Sequence, residues 1–290
     1  MGWQFRRFVD PEQASAWRDW LHRRAGESRF WWLALFGLKQ AWASIFGVLL
    51  LLAIVGTRYV ELPWLYRYDW LFVFAVLIQV LLLVTRLEKP REVLVIGLFH
   101  LVGLGMELFK TSPEVGSWSY TEDAVIALGT VPLFSGFMYA AVGSYMARAW
   151  RGFDLQFTRY PNRLLTVVLA LLIYFNFFTN HYVYDVRWFL FAATIVLFWR
   201  TRVSFRLNIR RHRMPLLVAF VLIAGAIWLA ENVATFTNVW LYPSQEGGWH
   251  PVSFAELGSW VLLMIISFVM VDLLHHLSFR KQTSTSIDPD

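Results

Sequence analysis

The chain has 290 residues, 58% of them hydrophobic and 16% charged, with 16 Trp and 25 Phe, a balance that excludes an ordinary soluble domain. Its net charge of +6 follows from loops that stay on one side of a membrane, so no nucleic-acid partner is required. With no cysteine in the chain, disulfides, thiolate metal sites and thiol catalysis are excluded.

Residues 1–33 are charged and lack the continuous apolar core of a signal peptide. They read as a cytoplasmic segment with an interfacial amphipathic helix. Asp10 is placed to cap it, Pro11 suits its first turn and Gln13 completes a capping box. Trp17, Trp20 and Leu21 share a face, with Arg18, Arg23 and Arg24 placed to meet anionic membrane lipids. A soluble cap on the inner loops is the alternative. Apolar runs near the twenty residues that cross about 30 Å of hydrocarbon then follow. They lie near 40–57, 69–86, 92–110, 124–147, 163–179, 187–201, 214–234 and 253–276. The expected fold is all-α, a polytopic membrane domain over 34–278 with about eight transmembrane helices and a disordered cytoplasmic tail over 279–290.

Basic residues set the expected orientation, because Lys and Arg near helix ends remain cytoplasmic. On that topology only Arg58, Arg67, Lys110 and Arg187 fall in outer loops, and Lys39 lies at the inner end of the first helix. Both termini are therefore expected in the cytoplasm.

The sequence also carries an apparent duplication. Tyr68, Asp69, Thr85 and Arg86 match Tyr184, Asp185, Thr201 and Arg202; Glu107 and Thr111 match Glu231 and Thr235; and the Trp-x-Tyr of Trp118 and Tyr120 matches Trp240 and Tyr242. The matches share one order, which implies two four-helix repeats in the same orientation, over about 40–150 and 160–278.

Projected on that topology, the polar interest collects at the outer helix ends. Glu107 and Glu231 are the candidate proton donor and acceptor, since a carboxylate beneath an aromatic rim is partly desolvated and can hold a proton for delivery. His100 stands on the face of its helix that carries Gly103 and Glu107, and a buried structural histidine explains it equally well. Trp118, Tyr120, Trp240, Tyr242, His181, Asp185, Asp69 and Arg58 are candidate substrate-binding residues; the four aromatics fit a membrane-edge belt as well as a site. Glu107 has Lys110 within reach at i+3, whereas Glu231 has no basic residue nearby in its helix or the following loop. No H-E-x-x-H pattern occurs, so a metal site would need tertiary assembly of His181, His250, Asp185 and the glutamates, and no metal is expected. Nor is a cofactor, since Walker and dinucleotide-binding glycine patterns are missing. Gly136, Ala140 and Gly143 form a small-residue stripe that permits close helix approach.

At "GMELFKT", "VPLFSGFMYAAVGSY", "WLAENVATF" and "LGSWVLLMIISFV" the chain resembles a bacterial integral membrane family catalogued as domain-of-unknown-function family 817. That resemblance implies a polytopic inner-membrane protein and carries no catalytic residues with it. A looser likeness, to membrane carotenoid cyclases and hydratases, rests on Glu107 followed by Gly116, Trp118 and Tyr120; the Pro-x-Glu-Glu motif of one cyclase group is missing. The favoured expectation is a membrane enzyme acting on a lipophilic, isoprenoid-like small molecule by carboxylate acid/base chemistry. A transporter or channel with an outer acidic vestibule, and a non-catalytic scaffold, stand as alternatives.

Overall fold

The computed structural model describes residues 19–20, 24, 28–207 and 211–284. All of the expected interfacial helix except Asp19, Trp20 and Arg24 therefore lies outside the described residues, as do residues 285–290 of the expected tail. Helices dominate. The first two, α1 (Arg29–Ala43) and α2 (Ile45–Tyr59), meet at Ser44 with a bend of 74°. The Ser44 hydroxyl donates back to the Gln40 carbonyl at 2.9 Å, a local bond that competes with the helical ladder and favours bending.

Two long apolar helices follow, α3 (Arg67–Val84) and α4 (Pro90–Lys110). The start of α4 is fixed by Pro90 in its first turn and by Glu92, whose carboxylate accepts from the Lys89 amide at 2.8 Å. A loop with three short strands, β1 (Ser119–Tyr120), β2 (Ala127–Leu128) and β3 (Val131–Pro132), leads to α5 (Ser135–Gly152). After β4 (Gln156–Thr158) the chain forms the short helices α6 (Arg163–Thr179) and α7 (Arg187–Phe198), then β5 (Arg202–Arg206) and β6 (Arg211–Pro215). It ends in α8 (Leu216–Phe236), β7 (Trp240–Leu241), a 3-10 turn at Pro243–Gln245 and α9 (Phe254–Ser284). Helix α9 thus continues into the stretch where the tail was expected to begin.

The strands close the two ends of the helical bundle. At one end β1 pairs antiparallel with β7, setting Tyr120 opposite Trp240, and β2 pairs with β3. At the other, β4, β5 and β6 form an antiparallel sheet that runs directly into α8. Between them α4 and α5 lie against each other, and glycine makes the approach possible. A Cβ at Gly103 would come 2.3 Å from Cγ of Tyr139, and one at Gly136 would come 2.5 Å from the His100 ring. The small-residue stripe of α5 is therefore a seat for α4 side chains.

The expectation of about eight spans is overturned. Among the described residues four helices are long and apolar enough to cross a membrane, at Arg67–Val84, Glu92–Lys110, Leu216–Phe236 and Phe254–His276, and the bent pair α1–α2 raises the number to five. Helix α7 has 12 residues, about 18 Å at 1.5 Å per residue, which falls short of the hydrocarbon core. Helix α6 stops at 17, and α5 carries Ser144, Arg148 and Arg151 along a helix of 18.

The two-repeat architecture fails with it. The segments expected to correspond, α3 and α7, differ as 18 residues against 12. Their matched residues also live in different surroundings: Tyr68 is 1% exposed and Asp69 is buried, whereas Tyr184 is 94% exposed and Asp185 lies in an exposed turn. Tyr, Trp, Asp and Arg recur at helix ends because they suit membrane edges, so matches of these residue types arise without a duplication.

A cavity with two carboxylates at one end

Glu107 sits three residues before the end of α4 and is 2% exposed. Its Oε2 accepts from the Trp118 indole at 2.9 Å and the Tyr120 hydroxyl at 2.8 Å, and its Oε1 accepts from the Tyr139 hydroxyl at 2.9 Å. Each donor comes from a different element: the loop before β1, β1 itself and α5. Glu231, in the last turns of α8 and 4% exposed, accepts from the Tyr242 hydroxyl at 2.6 Å through Oε1 and from the Trp260 indole of α9 at 2.7 Å through Oε2. The rings of Trp118 and Tyr242 touch edge to face with centroids 6.3 Å apart, so a donor of one carboxylate leans on a donor of the other.

Among the described residues every hydrogen bond to these two carboxylates comes from a neutral O–H or N–H. Burial, followed by the charge of Glu107, holds the Tyr120 phenol well above the ordinary phenol range. Burial, followed by Glu231 and Glu256, does the same for Tyr242. Both phenols therefore remain protonated donors at physiological pH.

Both glutamates line one cavity of about 800 Å³. It begins among Phe205, Met214 and Leu216 beside the β4–β6 sheet and ends at Glu107, Glu231, Trp240 and Tyr242 beside the β1–β7 ribbon. Leu216 and Ala234 both line it, and 18 residues of helix separate them by about 27 Å. Its walls are mainly aliphatic and aromatic; besides the glutamate end, Gln40 and Ser44 at the α1–α2 bend contribute polar atoms. Three lining residues, Val48 of α2 and Leu222 and Leu229 of α8, are also 43, 61 and 61% exposed. They mark a mouth between α2 and α8 that opens sideways, on the apolar flank of the bundle.

The remaining candidates are placed elsewhere. His100 packs edge to face on Phe137 at 4.7 Å and does not line the cavity. Asp69 accepts from the backbone amides of Val125 and Ile126, at 3.0 and 2.7 Å, and so ties the β2 loop to α3. Asp185 accepts from Asn176 and from the Arg187 amide at 3.1 and 2.9 Å and pairs with the Arg187 guanidinium. Burial works to raise this carboxyl, but those hydrogen bonds and the guanidinium outweigh it and hold it below its ordinary value. Arg58 is exposed at the end of α2. Lys110 does not pair with Glu107; its Nζ reaches His181 Nε2 at 2.8 Å and Asn180 Oδ1 at 3.4 Å. Trp240 lines the cavity but gives Glu231 no hydrogen bond. Among the described residues no three His, Cys, Asp or Glu side chains are grouped to hold a metal.

Three residues of the site escape a reading by sequence. Tyr139 carried a signal, since it lies within the small-residue stripe that faces Gly103, one turn below Glu107. Trp260 lies 29 positions after Glu231, and no spacing rule links them. Glu256, in the first turn of α9, completes the acidic end of the cavity.

A family model described as "Protein of unknown function (DUF817)" matches residues 32–268. The chain is 42% identical over 253 residues to "Uncharacterized protein YoaT" of Bacillus subtilis (strain 168), an alignment covering 87% of this chain and 95% of that one. A solved structure of a cross-linked MvINS trimer is similar over 64% of this chain and 95% of that chain, at a TM-score of 0.46 and 15% identity. Neither relative bears on the looser likeness to carotenoid cyclases. This multi-pass membrane chain belongs to the DUF817 family.

Proposed function

We propose that the protein takes a lipophilic molecule from the bilayer through the mouth between α2 and α8, and that the molecule's polar end rests against Glu107 and Glu231. The observation that carries this reading is the position of the cavity: apolar along its length, open toward the acyl-chain region at Val48, Leu222 and Leu229, and polar at the glutamate end. In its enzymatic form Glu231 is the working base, because two donors occupy it where three occupy Glu107. By the charge rule the arginine-rich β4–β6 end faces the cytoplasm of a bacterial inner membrane, which puts the glutamates near the outer surface.

Native mass spectrometry of the gently purified protein tests the reading. The expected result is a retained lipophile, displaced in Leu222→Trp, where an indole blocks the mouth. Retention of nothing by the folded protein overturns it. Comparison of lipid extracts from cells carrying the wild type or Glu231→Gln then separates turnover from binding. A changed component marks an enzyme, and an unchanged extract from a protein that still retains its lipophile marks a binding protein.

A further inference from the structure

We infer that the molecule accommodated by this cavity carries a cationic head, an amine or a quaternary ammonium, on a single apolar chain. The inference rests on the cavity reading above and specifies its ligand. Three carboxylates, Glu107, Glu231 and Glu256, line the same end of the cavity. The ion pairs among the described residues involve none of them. Lys110, the basic residue nearest in sequence to Glu107, turns its Nζ to His181 and Asn180; its field reaches Glu256, yet no ion pair joins them. Glu107 and Glu231 have their oxygens oriented by neutral donors, and the half-buried carboxylate of Glu256 accepts no hydrogen bond among the described residues. Three acidic groups are thus gathered at one end of an apolar space with no ion-pair partner among the described residues, and ionising them there is costly unless a positive charge comes with the ligand.

The walls around these carboxylates have matching chemistry. Trp118, Trp240, Trp260, Tyr139 and Tyr242 all contribute to the lining, and aromatic faces attract ammonium groups more strongly once water is excluded. Carboxylates held by tyrosine and tryptophan donors, with aromatic rings between them, form a cage for a positive head. A cationic head lets these acids ionise as ion pairs, which a neutral hydroxyl head does not, and an anionic head opposes their ionisation. The volume of about 800 Å³ lies within the range for one small lipophile, which favours a single chain over a two-chain lipid. The side mouth lets the chain enter without leaving the hydrocarbon.

Three sixteen-carbon probes with different heads, hexadecyltrimethylammonium, hexadecanol and hexadecyl sulfate, provide the test. Each is titrated below its micellar concentration into the protein in neutral maltoside micelles, with tryptophan fluorescence as the readout and Leu222→Trp as the blocked reference. The expected order is the cation about tenfold or more tighter than the alcohol, with the sulfate weakest. Glu256→Gln, which breaks no described hydrogen bond, reduces the preference, and adding Glu231→Gln removes it. Glu61→Gln, at an exposed position outside the cavity, leaves it unchanged. Equal affinity for cation and alcohol, or a preference that survives both glutamine variants, overturns the cationic head while the lipophile reading stands. Failure of all three probes to bind in a mouth-dependent way overturns both.

Discussion

Glu107 and Glu231 occupy similar positions near the ends of α4 and α8, yet their surroundings differ in a way that separates their roles. Glu107 joins three elements through three neutral donors, which makes it a strut of the fold as well as part of the lining. Glu231 has two donors and a second carboxylate, Glu256, on the same cavity wall. A buried group with all its partners in place rigidifies the structure, while one with accepting capacity to spare can engage a ligand. Glu107 therefore stabilises the cavity, and on the proposed reading Glu231 is the residue left to engage a ligand.

Removing both acceptors tests that contrast most severely. Glu107→Leu orphans three donors and should cost about 3–6 kcal/mol, whereas Glu231→Leu orphans two and should cost about 2–4 kcal/mol. Thermal or denaturant unfolding in micelles reads the difference, and equal losses would erase the distinction. Next in size is Gly103→Ala. It pushes Tyr139 away from Glu107 at a cost of about 1–3 kcal/mol, and a smaller residue at 139 should recover part of the loss. At about 1 kcal/mol each, Tyr139→Phe and Tyr242→Phe should weaken the fold to a similar degree, but Tyr242→Phe should also change ligand retention by native mass spectrometry. Loss of retention in Tyr139→Phe alone would reverse the assignment of roles.

The smallest effect concerns pH. Burial and then the Lys110 charge depress the His181 imidazole below its usual value, so the folded state binds its proton less readily than the unfolded chain does. The stability linked to this neutral ring is present above the unfolded value near 6.5 and is lost as pH falls below it. The difference in unfolding free energy between wild type and His181→Gln should shift slightly against the wild type as pH falls from about 7.5 to about 5. The glutamate cradles lie apart from this ring, so the pH dependence of His181 should not separate Glu107 from Glu231.

Where sequence patterns succeeded and failed follows from the range of the forces involved. Glu107 with Trp118 and Tyr120, and Glu231 with Tyr242, were legible because each set lies within a helix end and the loop after it, over 11 to 13 positions. The same short patterns misled once they were extended into a duplication, because Asp69 caps a loop and Asp185 an exposed turn. Hydropathy identified α3, α4, α8 and α9 as apolar helices, but it did not reveal that α7 stops at Phe198 to make way for the β4–β6 sheet.

Composition established a membrane chain, because its apolar content exceeds what a water-facing domain of this length can bury, and the length of its apolar runs made helix the expected form. Local patterning established which carboxylates stand near which aromatics. Only the tertiary structure decided that α9 brings Trp260 and Glu256 to Glu231, that α5 sends Tyr139 to Glu107, and that one cavity joins both ends. The reason is physical: apolar burial acts on any side chain of suitable hydropathy, whereas the donors of a buried carboxylate depend on which helices pack side by side, and that choice is made by side-chain shape across the whole bundle.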